Sequence, residues 1–219
     1  MSSMKDYDAY LFDWDGTLAR TTEIWLTELE FCAEQVGVPI TREENARSFG
    51  DYDVWRRKGL VGKRYDDFQQ MVLGRVTPQL STVTLFDDAL AVLQTLKARG
   101  KKLALVTSSR RSSLDAMFAH HQEVASIFDV IVSIEDVHTH KPDPEGINIA
   151  IERLGVDKAK TLMLGDTDKD LGAAHNAGID AVLFYPKEHE MVYDLAELQK
   201  LHKPVHVVYA WSTFLEGLQ

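Results

Sequence analysis

The sequence is poor in sulfur, with one cysteine, Cys32, in 219 residues. A lone thiol excludes an intramolecular disulfide and any fold stapled by cross-links. Cys32 stands among Phe31, Ala33 and Val36 in a helical pattern, which reads as a buried packing residue rather than a nucleophile. Positive charge is also short: 24 Lys and Arg stand against 34 Asp and Glu, for a net charge of -10. No basic run breaks that balance, so nucleic acid and anionic membranes are disfavoured as partners. No apolar stretch approaches membrane-spanning length, and the opening "MSSMKDYDAY" has no signal-like apolar segment. The expected location is the cytoplasm. Internal repeats and low-complexity tracts are absent too. What remains is ordinary globular composition, 45% hydrophobic and 26% charged, enough for a substantial core with a small accessory unit.

From residue 85 onward, helical and extended patterns alternate. A helix is expected from Asp87 to Arg99, with Ala89, Leu93 and Leu96 on one face and Gly100 as its stop. "KLALVTSS", "FDVIVSI", "TLMLGD", "AVLF" and "PVHVVYA" read as strands. Between and after them, "SLDAMFAHH", Pro144 to Leu154, Leu171 to Ala177, Leu195 to Leu201 and the residues from Trp211 read as helices. Short apolar strands alternating with helices mean a parallel sheet covered on both faces, an α/β doubly wound fold.

Residues 20–82 break the rhythm. Trp25, Leu29, Cys32, Ala33 and Val36 follow helical spacing up to Gly37. Thr41 with Glu44 has the form of a capping box opening a second helix. Phe68, Met71, Val72 and Val76 mark another, expected to end before Pro78. With no strand signal, this is a helical insertion after the first strand, with "TLARTT" and "QLSTVTL" as its hinges. The domains expected are a core of residues 1–19 and 83–219 and an inserted helical unit of residues 20–82.

In an open α/β sheet the ligand crevice lies beyond the carboxyl ends of the strands. "LFDWDGTLA" places Asp13 and Asp15 there; "VTSS" adds Thr107 and Ser108, "HKPDP" adds Lys141, and "GDTDKD" adds Asp166 and Asp170. Four carboxylates do not crowd together ionised without a cation, and an all-oxygen donor set suits a hard ion such as Mg²⁺. Lys141 and the backbone N–H groups around Ser108 suit an anion such as phosphate. Metal, anion pocket and a spare carboxylate together point to phosphoryl transfer with an aspartate nucleophile.

"DWDGTL", "VTSS", "HKPDP" and "GDTDKD", in that order, resemble the four motifs of the haloacid dehalogenase superfamily. "KPDPEGINIAIERLGV" is particularly similar to its phosphoglycolate-phosphatase and β-phosphoglucomutase branch. The resemblance implies a Rossmann-like core with a helical cap inserted after the first motif, in agreement with the insertion read above. It also implies roles. Asp13 becomes phosphorylated, and Asp15 serves as general acid and then base. Mg²⁺ is held by Asp13, Asp166 and the Asp15 carbonyl, with Asp170 fixing a metal-bound water and pairing with Lys141. Thr107 and Lys141 hold the phosphoryl oxygens, beside Gly16 and Ser108.

The expected activity is Mg²⁺-dependent hydrolysis of a small phosphorylated metabolite by a monomer or weak homodimer. A sugar-phosphate mutase is the alternative, and a non-catalytic phosphate-binding regulator a more distant one. His138 and His140, where the family more often has a glycine before the lysine, read as loop histidines. "SFGDYDVWRRKG", with nearby Arg47, clusters aromatic and basic residues in the insertion. Arg47, Trp55 and Arg56 are its candidates for substrate contact.

Overall fold

The computed structural model describes residues 5–49, 51 and 53–217. Six strands form one sheet: β1 (Ala9–Phe12), β2 (Lys102–Val106), β3 (Val130–Val132), β4 (Thr161–Gly165), β5 (Asp180–Phe184) and β6 (His206–Val208). Their order is β3-β2-β1-β4-β5-β6 and every pairing is parallel. β1 is apolar along its whole length, and β2 and β4 beyond their first residues, because both of their faces are covered. Tyr10 and Phe12 of β1 point into one core layer, and Ala9 and Leu11 into the other. In the same way Leu103 and Leu105 of β2 oppose Ala104 and Val106. The first layer is closed by α5 (Ala89–Ala98) and α11 (Trp211–Gly217), and the second by α8 (Glu145–Leu154) and α9 (Asp168–Ala177). The shorter α6 (Arg111–Phe118), α7 (Gln122–Ala125) and α10 (Leu195–Leu198) complete the helices of this part. The doubly wound α/β arrangement expected from the strand–helix alternation is therefore observed.

Between β1 and α5 the described residues form four helices: α1 (Thr22–Gln35), α2 (Arg42–Arg47), α3 (Asp53–Arg57) and α4 (Lys63–Leu80). Buried Leu26, Cys32 and Ala33 on α1, and Phe68, Val72 and Val76 on α4, supply the apolar faces of this group. The buried Glu28 carboxylate accepts hydrogen bonds from Arg75 and, at 2.7 Å, from Gln79, which cross-links α1 and α4. Cys32 is fully buried, as its helical neighbours indicated.

Two local expectations need correction. The last long helix of the insertion runs through Pro78 to Leu80 instead of ending before the proline. Pro78 lacks an N–H, yet burial of Leu80 and the grip of Gln79 on Glu28 hold the final turn in place. At Thr41 the hydroxyl accepts from the Glu44 N–H at 3.1 Å, but the Glu44 carboxylate turns to Lys58 at 2.8 Å. The capping box is thus half made. Gly50 and Tyr52, within the aromatic and basic cluster of the insertion, lie outside the described residues. No helix among the described residues is long and apolar enough to cross a membrane.

Candidate active site

Strand register assembles the site. Phe12 pairs with Leu105 on one side and with Leu164 on the other, so the chain leaves β1, β2 and β4 at one level of the sheet. Asp13 follows Phe12 directly, while Thr107 and Asp166 each follow the last residue of their strand. The turn after Asp13 folds back tightly, with the Trp14 carbonyl accepting from the N–H groups of Leu18 and Ala19, both at 3.0 Å. Gly16 has φ +76°, and a Cβ there would lie 2.7 Å from Thr22 Oγ1 and closer still to the Asp166 carboxylate. Only glycine fits this turn. Gly165 is equally constrained, since a Cβ there would run into the Asp170 side chain.

Lys141 Nζ donates to Asp13 Oδ1 at 2.8 Å, to Asp170 Oδ1 at 2.6 Å and to the Val106 carbonyl at 3.3 Å. Asp170 spends its other oxygen on the first turn of α9, accepting from Thr167 Oγ1 at 2.7 Å and from its N–H at 3.0 Å. The helix cap thus aims the first oxygen at the lysine. Asp166 accepts from Thr17 Oγ1 at 3.0 Å, while its Oδ2 is buried without a partner. Asp13, Asp166 and Asp170 each offer an oxygen within 4.8 Å of the others. Asp15 has separate partners: Trp25 Nε1 of α1 donates to its Oδ1 at 2.8 Å, and Ser109 Oγ to its Oδ2 at 2.5 Å. Thr107 is buried beside them, its Oγ1 accepting from the Ser109 N–H at 3.0 Å.

Charge in this cluster is unbalanced. Burial pushes the Asp13 carboxyl up from 3.8 to about 7, against the pull of Lys141. Asp166 is driven well above the ordinary carboxylate range by burial, and further by Asp170 and Asp13. Burial acts to lower Lys141, but the facing carboxylates of Asp13 and Asp170 outweigh it, so the ammonium stays charged. One cation among three buried carboxylates, with one oxygen left unpaired, is a donor set suited to a hard divalent ion.

A cavity opens over the cluster, lined on the strand side by Asp13, Asp15, Ser108 and Lys141 and on the other by Trp25 and Trp55. Trp55 is therefore where its candidacy requires. Arg47 and Arg56 are not. Arg47 is exposed and paired with Glu43 at 2.8 Å, and Arg56 is exposed and paired with Asp53 at 2.9 Å. Each acidic partner lies within one helical turn and turns the guanidinium outward. His138 and His140 are exposed in the loop before Lys141.

Four contributors carry no distinct signal in the sequence. Trp25 looked like a core position on α1, and only the fold turns its indole to Asp15. Ser109 stood one place beyond the pair singled out in "VTSS". Thr17 gave no signal of its own. His189 lies 3.8 Å from Asp166 Oδ2, buried among Phe86, Phe184, Tyr185 and Tyr193. Burial lowers it from 6.5 to about 4, so it is neutral at pH 7.

The parallel sheet, the helical group after β1 and an acid cluster at the strand ends define a class of hydrolase. The chain belongs to the haloacid dehalogenase-like hydrolases, whose family profile matches residues 10–184. Among its relatives are the pyrophosphatase PpaX of Bacillus velezensis, 31% identical over 180 residues, and the phosphorylated carbohydrates phosphatase of Thermotoga maritima, 28% identical over 185. The first match covers 80% of this chain and 81% of the relative, the second 80% and 83%. The crystal structure of CbbY from Rhodobacter sphaeroides with bound phosphate has the same fold. Its TM-score is 0.79 at 22% identity, covering 97% of this chain and 99% of that one.

Proposed function

We propose that the protein is a magnesium-dependent phosphatase of small phosphorylated metabolites that works through a phosphorylated Asp13. The observation that carries this reading is Lys141 held between the buried Asp13 and Asp170, next to the unpartnered oxygen of Asp166. That donor set fits Mg²⁺, which the side chains of Asp13 and Asp166 and the Asp15 carbonyl would hold, with Asp170 contributing through solvent. When bound, the ion supplies the positive charge that lets carboxylates and a phosphoryl group meet.

Asp13 attacks the phosphorus: a bond from its carboxylate oxygen forms as the bond to the leaving oxygen breaks. Asp15 passes its proton to that leaving oxygen. Water then attacks the phosphorus on Asp13 and gives a proton to Asp15, so that inorganic phosphate leaves and both aspartates are restored. Trp25 and Ser109 hold one oxygen each of Asp15, which fixes the carboxyl plane through both steps. Lys141 and Thr107 orient the phosphoryl oxygens, with Gly16 and Ser108 lining their approach. Residues 20–82 act as the cap, and Trp55 is the cap residue that meets the leaving group; closure there excludes water. Support comes also from the phosphatase and pyrophosphatase relatives.

The test is a rapid acid quench of enzyme, Mg²⁺ and p-nitrophenyl phosphate, followed by mass spectrometry of the peptide containing Asp13. A gain of one phosphoryl group is expected. Phosphate release with no such adduct, or turnover undiminished by excess chelator, overturns the reading.

A further inference from the structure

The cavity has two chemically different walls. Its cations, Lys141, Arg110 and Lys169, all come from segments that follow β2, β3 and β4, on the side of the acid cluster. The facing wall, from α1 to α4 and the residues after α2, is built largely of Trp25, Leu29, Phe49, Trp55, Val72 and Leu73, with the neutral polar side chains of Asn45, Ser48 and Gln69 among them. Trp55 is braced there, packed on Phe68 at 4.7 Å between ring centroids.

No Lys or Arg of residues 20–82 lines this cavity among the described residues. Acidic neighbours account for the nearest of them. Besides Arg47 and Arg56, Lys58 is held by Glu44 at 2.8 Å and Arg57 by Asp51 at 2.6 Å. Asp51, the one charged residue of 20–82 that lines the cavity among the described residues, is acidic and already paired with Arg57. A second anionic group on a substrate would be desolvated against a mostly indole and aliphatic surface with no cap cation to receive it, since Asn45 already donates to the Leu26 carbonyl and Glu30, and Ser48 to the Glu44 carbonyl. Apolar surface on the leaving group would instead replace water there.

On the phosphatase reading above, we propose that the substrate is a phosphomonoester whose leaving group is uncharged and carries aromatic or aliphatic surface. Pyrophosphate and phosphorylated carboxylic acids are then poor substrates, which separates this chain in specificity from the pyrophosphatases to which it is similar.

The experiment compares kcat/KM with Mg²⁺ for benzyl phosphate, glycerol phosphate, 2-phosphoglycolate and pyrophosphate. The first three all expel an alcohol, so differences among them report on the wall. Benzyl phosphate should exceed glycerol phosphate and phosphoglycolate by at least about tenfold, the smaller end of what a hydrophobic pocket discriminates. Leu73→Lys, a half-buried wall position, should narrow or invert that order by supplying the missing cation. Trp55→Ala should raise KM for benzyl phosphate more than for glycerol phosphate. Phosphoglycolate or pyrophosphate preferred by the wild-type enzyme overturns this inference alone and assigns the second anion to Arg110 at the rim. No hydrolysis of any ester, p-nitrophenyl phosphate included, overturns the phosphatase reading and this inference with it.

Discussion

Replacing the proposed nucleophile should make the metal-free protein more stable. Asp13 is buried, and its carboxyl moves from 3.8 in the open chain to about 7 in the fold. The raised value means that the native state binds a proton which the unfolded chain has already lost. Stability is therefore present in full below about pH 4 and declines as pH rises toward 7. At about 1.4 kcal/mol per pH unit, the displacement amounts to roughly 4 kcal/mol above neutrality. Asn keeps the volume and mimics the protonated acid, and Lys141 keeps Asp170 as its partner at 2.6 Å. Asp13→Asn in EDTA at pH 8 should thus gain up to about 4 kcal/mol. For a chain of this size that corresponds to a Tm about 8–16 °C higher. The gap should shrink steadily as pH is lowered to 4. Saturating Mg²⁺ should narrow it from the other side: at a hundred times Kd, binding adds about 2.7 kcal/mol to the wild type and less to the variant, which lacks one ligand charge. Thermal melts of both proteins across pH 4–8, with EDTA and with Mg²⁺, measure all of this. A variant no more stable than the wild type in EDTA at pH 8, or a gap independent of pH, would refute the reasoning.

Asp15→Asn should slow hydrolysis of an alkyl phosphate by at least about a hundredfold and of p-nitrophenyl phosphate far less, because the latter's leaving group needs no proton; equal losses would contradict the general-acid role. Trp25→Phe removes the 2.8 Å donation to Asp15 and should lower kcat more than it changes KM, which steady-state kinetics on glycerol phosphate can read. Gly16→Ala forces a side chain into Thr22 and the Asp166 carboxylate at φ +76°, and should lower Tm and abolish turnover together. His189 is neutral in the fold with its value near 4, whereas the unfolded chain takes up a proton below about 6.5. Its contribution is present above 6.5 and lost as pH falls to 4, about 3 kcal/mol in all. His189→Phe, which suits the surrounding aromatic rings, should remove that acid-side loss in melts between pH 4 and 7; a variant whose melts follow the wild type's acid dependence would contradict the assignment.

The chain's local chemistry determined more of this protein than its length suggests. Strands buried on both faces are apolar where they are covered, so β1, β2 and β4 were legible as short hydrophobic runs, and the acids after β1 and β4 were conspicuous. Asp13, Thr107 and Asp166 could be read because each directly follows a strand, which is a local property, and Lys141 and Asp170 because they stand in the short polar motifs "HKPDP" and "GDTDKD" that lead from a strand into the next helix. The helices between β1 and α5 were legible as 3.6-residue spacing between two stretches without it. What needed the tertiary structure were contacts between segments distant in sequence. Trp25 donates to Asp15, a pairing that depends on how α1 lies over the sheet edge. His189 approaches Asp166 from the turn after β5. Arg47 and Arg56, basic beside aromatic residues, suggested substrate contact, yet an acid three or four residues away captures each one at the surface. Pro78 marks a helix end in isolation, but burial of Leu80 outweighs one missing hydrogen bond. Sequence patterns report the face a residue shows within its own element; which partner waits on the other side is decided by how those elements pack.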